Sequence, residues 1–146
     1  MIVALGSDHG GFLLKEAVKE HLAVCGVEFF DFGCYNTDSC DYPLIGKAVG
    51  TAVAAGEFDR GLLFCGTGIG ISIAANKIKG VRAACCSDCF SAKYTRLHND
   101  ANVLCMGGRV VGAGLAIEMV ELFLKTDFEG ERHQRRIDLI TEMETK

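Results

Sequence analysis

The chain has 146 residues, 49% of them hydrophobic and 23% charged, which suits one soluble domain with a buried core. A net charge of −4 leaves no basic surplus to neutralise phosphates, and this argues against nucleic acid as the main partner. Eight cysteines sit in a chain whose first residues read as a strand rather than a targeting segment. With Cys65, Cys85 and Cys105 inside apolar runs, they read as the reduced thiols of a cytosolic protein, not as a disulfide scaffold.

In chain order, 2–6 is an apolar strand too short to span a membrane, and no membrane partner is expected. A helix over 10–25 follows, with Phe12, Leu13, Ala17, Val18, Leu22 and Ala23 on one side. A second strand covers 27–32, and 33–41 reads as a flexible loop. The helix over 43–55 has proline at its first turn, where a missing N–H costs nothing. Strands at 61–65, 81–86 and 102–107 are each followed by a helix, near 71–78, 88–98 and 112–125. A half-apolar helix over 131–144 ends the chain, with Ile137, Leu139, Ile140 and Met143 as its stripe.

This alternation predicts an α/β fold: a three-layer αβα sandwich, with a Rossmann-like five-stranded parallel sheet in a single domain over 1–146. The last helix comes after the sheet is complete. Its stripe is expected to pack on a partner subunit in a homodimer; whether dimers pair into tetramers stays open. Right-handed crossovers place the loops after the strands along one edge, where such folds bind ligands. Gly6–Gly11, Cys65–Gly68 and Gly107–Arg109 lie there.

The segment 61–70, Gly-Leu-Leu-Phe-Cys-Gly-Thr-Gly-Ile-Gly, carries the strongest chemical signal. It ends a strand on a thiol and runs through Gly66, Gly68 and Gly70 into a helix. Backbone N–H groups at such a place bind anions and stabilise thiolates. Thr67 adds a hydroxyl within reach of thiol or substrate. The glycines at 6, 10 and 11 lack the Gly-x-Gly-x-x-Gly spacing, and Asp8 stands where a pyrophosphate would sit, so no nucleotide cofactor is expected. Cys86 and Cys89 form a lone Cys-x-x-Cys, while Cys34 and Cys40 have no obvious histidine partner; neither pair suggests metal. His9 and His98 are both read as approaching the edge where Cys65 lies, and His21 as a solvated surface residue. Arg132 and Arg136, four apart, share a helix face; this is either a solvated basic surface or a clamp for a phosphate dianion.

Gly6–Gly11, Asp41–Pro43, Cys65–Lys77, His98–Asn99, Gly107–Val111 and Gly130–Arg136 together resemble the B type of ribose-5-phosphate isomerase, a family that includes galactose-6-phosphate isomerase subunits. The resemblance runs the length of the chain. It implies an aldose–ketose isomerase acting on a phosphorylated sugar through a cis-enediolate, without metal or cofactor. Cys65 would move the proton between C1 and C2, Thr67 would orient it, and backbone N–H groups from Gly66 through Gly68 and Ile69 to Gly70 would hold the enediolate oxygens. His98 would assist ring opening. Asp8, His9, Asn99, Arg109 and, more weakly, Tyr42 would contact substrate, and Arg132 and Arg136 would bind its phosphate across a dimer interface. Ribose 5-phosphate is the expected aldose. Rival readings are a six-carbon phosphate such as allose 6-phosphate or galactose 6-phosphate, a non-catalytic sugar-phosphate-binding regulator, and a redox protein using Cys86 and Cys89.

Overall fold

The computed structural model describes residues 1–144. Five strands, β1 (Ile2–Ser7), β2 (Glu28–Asp31), β3 (Arg60–Cys65), β4 (Ala83–Cys85) and β5 (Val103–Gly107), form one parallel sheet in the order β2-β1-β3-β5-β4. The helices are α1 (Phe12–Val24), α2 (Tyr42–Ala54), α3 (Ile69–Ala75), α4 (Cys89–Asn99), α5 (Ala113–Lys125) and α6 (Arg132–Met143). The α/β sandwich expected from the alternation is present. β1, β3 and β5 are buried on both faces, as their continuous apolar runs require, whereas the edge strands β2 and β4 are only half-buried.

Two cores flank the sheet. One packs Val3, Leu5, Phe64, Leu104 and Met106 against Leu14, Val18, Met119 and Phe123 of α1 and α5. The other packs Ala4, Leu63, Val103 and Cys105 against Val49 and Val53 of α2 and Ile71 and Ala75 of α3. Between α2 and α3, Gly46 lets the helices close up, since a Cβ there would stand 3.1 Å from the Ile71 carbonyl oxygen.

Three elements depart from expectation. The buried face of α1 is Leu14, Lys15, Val18 and Leu22; Leu13 and Ala23 face outward. Lys15 is fully buried because its ammonium meets both carboxylate oxygens of Asp31 at 2.7 Å and the Cys34 carbonyl at 2.6 Å, compensation that an apolar count does not register. α3 and β4 are shorter than 71–78 and 81–86. Asn76 ends the helix by pairing its side-chain amide with both backbone groups of Ala83 at 2.8 Å, turning 76–82 into a connection. His21 is not a free surface residue, since its Nε2 meets Glu121 Oε1 at 3.0 Å.

Only His133 and Ile137 of α6 are buried, while Leu139, Ile140 and Met143 are exposed. No helix among the described residues is long and apolar enough to cross a membrane.

Candidate active site

The sheet reverses its order of strand addition between β1 and β3: β2 extends one side, and β5 and β4 the other. Ligand crevices form outside the carboxyl ends of the strands at such a point. Here the loops after β1 and β3 meet. Asp8 N–H donates to the Phe64 carbonyl at 3.0 Å, and Asp8 Oδ1 accepts from Gly11 N–H at 3.0 Å, which turns the chain into α1. The contact is backbone on backbone. A Cβ on Gly10 would stand 3.0 Å from Gly66 Cα, and one on Gly11 would stand 2.4 Å from the Phe64 carbonyl carbon.

Cys65 closes β3 and is 4% exposed. Its Sγ accepts the Gly68 N–H at 3.0 Å, which fixes the sulfur's direction. Gly68 delivers that N–H because it adopts φ 80°, a conformation that costs glycine nothing. The Thr67 hydroxyl accepts from Ile69 N–H at 3.3 Å and makes no hydrogen bond to the Cys65 sulfur among the described residues. Two of the loop's amides, Gly68 and Ile69, are therefore engaged internally. The surrounding thiols are held protonated. Burial, then the charge of Cys65, pushes Cys85 up; burial, then Cys85 and Asp88, pushes Cys86 up to about 11; burial raises Cys105 well above the ordinary thiol range.

Other expected residues border the same loop. Arg109 donates its N–H to the Gly66 carbonyl at 3.0 Å, and its side chain lies over Gly66. Tyr42, at the first turn of α2, lays its ring on Gly70, where a Cβ would stand 2.8 Å from the ring. His9 Nδ1 accepts the Cys40 N–H at 3.3 Å, so in the neutral ring Nε2 carries the proton. The backbone of Cys40, not its thiol, holds His9. The loop 33–41 is also tied down, through the Lys15 bond to the Cys34 carbonyl and the Tyr35 hydroxyl bond to the Asp31 carbonyl at 2.9 Å.

His98, Asn99, Arg132 and Arg136 lie elsewhere. α4 starts after the carboxyl end of β4 and runs back, so His98 and Asn99, at its far end, reach the opposite edge of the sheet. Within one protomer they are separated from Cys65 by the length of β5, roughly 15 Å. The reading that His98 approaches the edge of Cys65 is thus corrected. His98 stacks on His133, with centroids 4.2 Å apart and planes 11° apart, and Tyr94 meets its edge. Asn99 borders an open groove of about 530 Å³ with Arg82, Ala101, Ile140 and Met143. Arg132 and Arg136 are carried by α6, which packs on α4 through that histidine stack.

Sequence reasoning missed His133, Glu129 and Lys15. The clue for the first two was proximity in the chain: Glu129 and His133 are four apart around the turn that precedes α6.

The comparisons with known proteins place the whole chain among sugar isomerases. A family model described as Ribose/Galactose Isomerase matches residues 3–140, and the chain belongs to that family. It is 49% identical over 144 residues to ribose-5-phosphate isomerase B of Escherichia coli strain K12, covering 99% of this chain and 97% of that protein. The solved structure of Clostridium thermocellum ribose-5-phosphate isomerase B has a TM-score of 0.98 at 49% identity, covering 99% and 98% of the two chains. The Mycoplasma genitalium ribose-5-phosphate isomerase B, solved with bound ribulose-5-phosphate, has a TM-score of 0.95 at 41% identity, covering 99% and 97%.

Proposed function

We propose that this chain is a cytosolic homodimeric isomerase that interconverts ribose 5-phosphate and ribulose 5-phosphate, with Cys65 as the base. The observation that carries the reading is the sulfur of Cys65, held by Gly68 N–H in a glycine loop bordered by Arg109, Tyr42 and His9. In the open-chain aldose, the thiolate removes the proton from C2. The C–H electrons form the C1–C2 double bond and the carbonyl π electrons move to the C1 oxygen, giving a cis-enediolate. Transfer of a proton to C1 and loss of one from the C2 hydroxyl give the ketose. A positioned base supplies about 10²- to 10⁴-fold, and each preorganised N–H on a developing oxyanion about 3–4 kcal/mol. With Gly68 and Ile69 amides engaged internally, Gly66 and Gly70 are the donors for the enediolate oxygens.

One protomer supplies half of this site. His98 of the partner subunit opens the furanose ring, Asn99 of the partner subunit contacts the sugar, and the partner subunit's Arg132 and Arg136 clamp the phosphate. The placement of these four residues at the far edge of their own sheet, beside an exposed apolar stripe on α6, supports that division.

Cys65→Ala should lower kcat by at least about 10²-fold while substrate still binds, and wild-type protein should incorporate solvent deuterium at C2. A fully active alanine variant would remove Cys65 as the base; absence of exchange in the wild type would favour a non-catalytic binder. The six-carbon reading draws support from the family's galactose members, and comparing kcat/KM across five- and six-carbon aldose phosphates decides between them.

A further inference from the structure

We propose that His98, Glu129 and His133 form a binding site for a divalent transition cation of the zinc class, at the sheet edge opposite Cys65. One ligand atom from each, a ring nitrogen or a carboxylate oxygen, lies within 4.8 Å of the other two. Glu129 Oε2 is 3.4 Å from His133 Nε2 and 3.8 Å from His98 Nε2. Bonds of about 2.0–2.2 Å to one ion place ligand atoms about 3–3.5 Å apart, so closure asks for a shift of well under an ångström at Glu129. It also asks the 35% exposed His98 ring to turn out of its stack on His133.

His133 gives the second, independent sign. Its side chain is only 5% exposed, yet Nε2 has no hydrogen-bond partner among the described residues; the Glu129 oxygen beside it lies outside hydrogen-bond geometry. Buried polar atoms are rarely left so, and an imidazole nitrogen facing a carboxylate and a second imidazole suits a cation. The turn that carries the carboxylate is fixed to α4, since Glu129 N–H donates to the Leu97 carbonyl at 3.1 Å. Two imidazoles and one carboxylate leave a coordination position open. Arg132 and Arg136 weaken the attraction for a bare cation but favour an anion, such as a phosphate oxygen or hydroxide, in that position. The second three-residue cluster, His21, Cys25 and Glu121, is less suited, because His21 Nε2 is already bonded to Glu121.

A cation here withdraws His98 from the sugar, so the site is inhibitory if the isomerase reading holds. Binding is therefore the primary readout and does not depend on activity. Reduced, metal-stripped full-length protein carrying His21→Gln is titrated with nickel chloride by calorimetry near neutral pH. We expect one equivalent per chain, and at least tenfold weaker binding in both Glu129→Gln and His133→Phe, the latter keeping the ring stack without the nitrogen. Unchanged affinity in either variant, no binding at millimolar nickel, or thiolate-to-nickel charge-transfer absorption would overturn the site. In the isomerase assay, nickel should inhibit the parent, and Glu129→Gln should retain turnover and escape that inhibition.

Discussion

The two edges of the sheet are built differently. Around Cys65, two backbone loops touch without a side chain between them, and a buried lysine ties down the loop that holds His9. At the other edge, α6 rests on α4 through a histidine stack and leaves three large apolar side chains in solvent. The hydrogen bonds that hold the first edge all come from one protomer, whereas the second edge leaves an apolar stripe uncovered. Under the proposed division of the site, the base is held rigidly and phosphate capture depends on assembly.

The strongest way to break that comparison is complementation. Cys65→Ala and His98→Ala should each be nearly inactive alone. Mixed after dissociation and reassembly, they should recover up to about a quarter of wild-type activity, because half of the dimers are hybrid and each hybrid restores one of its two sites. No recovery in verified hybrids would place base and ring-opening group in one protomer.

A test of the rigid edge follows. Burial alone would raise the pKa of Asp31, but hydrogen bonds from Lys15, Lys19 and Gly33 outweigh it and hold it below the usual carboxylate range. A lowered folded-state pKa means that the interaction stabilises the protein above the unfolded pKa, near 3.9, and that this is lost as pH falls through the folded value. Asp31→Asn strands the buried Lys15 and should cost about 3–5 kcal/mol at neutral pH. In denaturant unfolding the gap from wild type should narrow below about pH 4 and should not depend on protein concentration. A gap that is constant with pH would mean that the carboxylate charge contributes nothing.

The smallest effect belongs to the open edge. Leu139, 49% exposed, should be nearly silent for the fold of a protomer, yet Leu139→Ser should lower dimer affinity in sedimentation equilibrium and make activity fall on dilution. If Leu139→Ser left the association constant unchanged, α6 would not be the interface.

Much of this was legible in the residues. Continuous apolar runs ending in glycines gave the strand order of the chain and the loop that carries Cys65, because both depend on local composition. Lys15 was hidden, since only the folded chain brings Asp31 beneath it. The donor that aims the Cys65 sulfur was hidden, because Gly68 N–H reaches it through a left-handed turn that spacing does not reveal. His98 was misplaced by nearness to β5 in the chain. The signal was available: a helix that leaves one edge of a parallel sheet must finish at the other.

Tyr42 covers Gly70 from the first turn of α2, whereas the thiol and its amide donor belong to β3 and the loop after it. One side of the thiol loop is thus covered by a replaceable aromatic ring, while the sulfur itself is held by main chain. Trimming that ring would uncover Gly70 without disturbing the bond that aims the sulfur, so the surroundings of the thiol can diverge through a single codon while its anchor stays fixed.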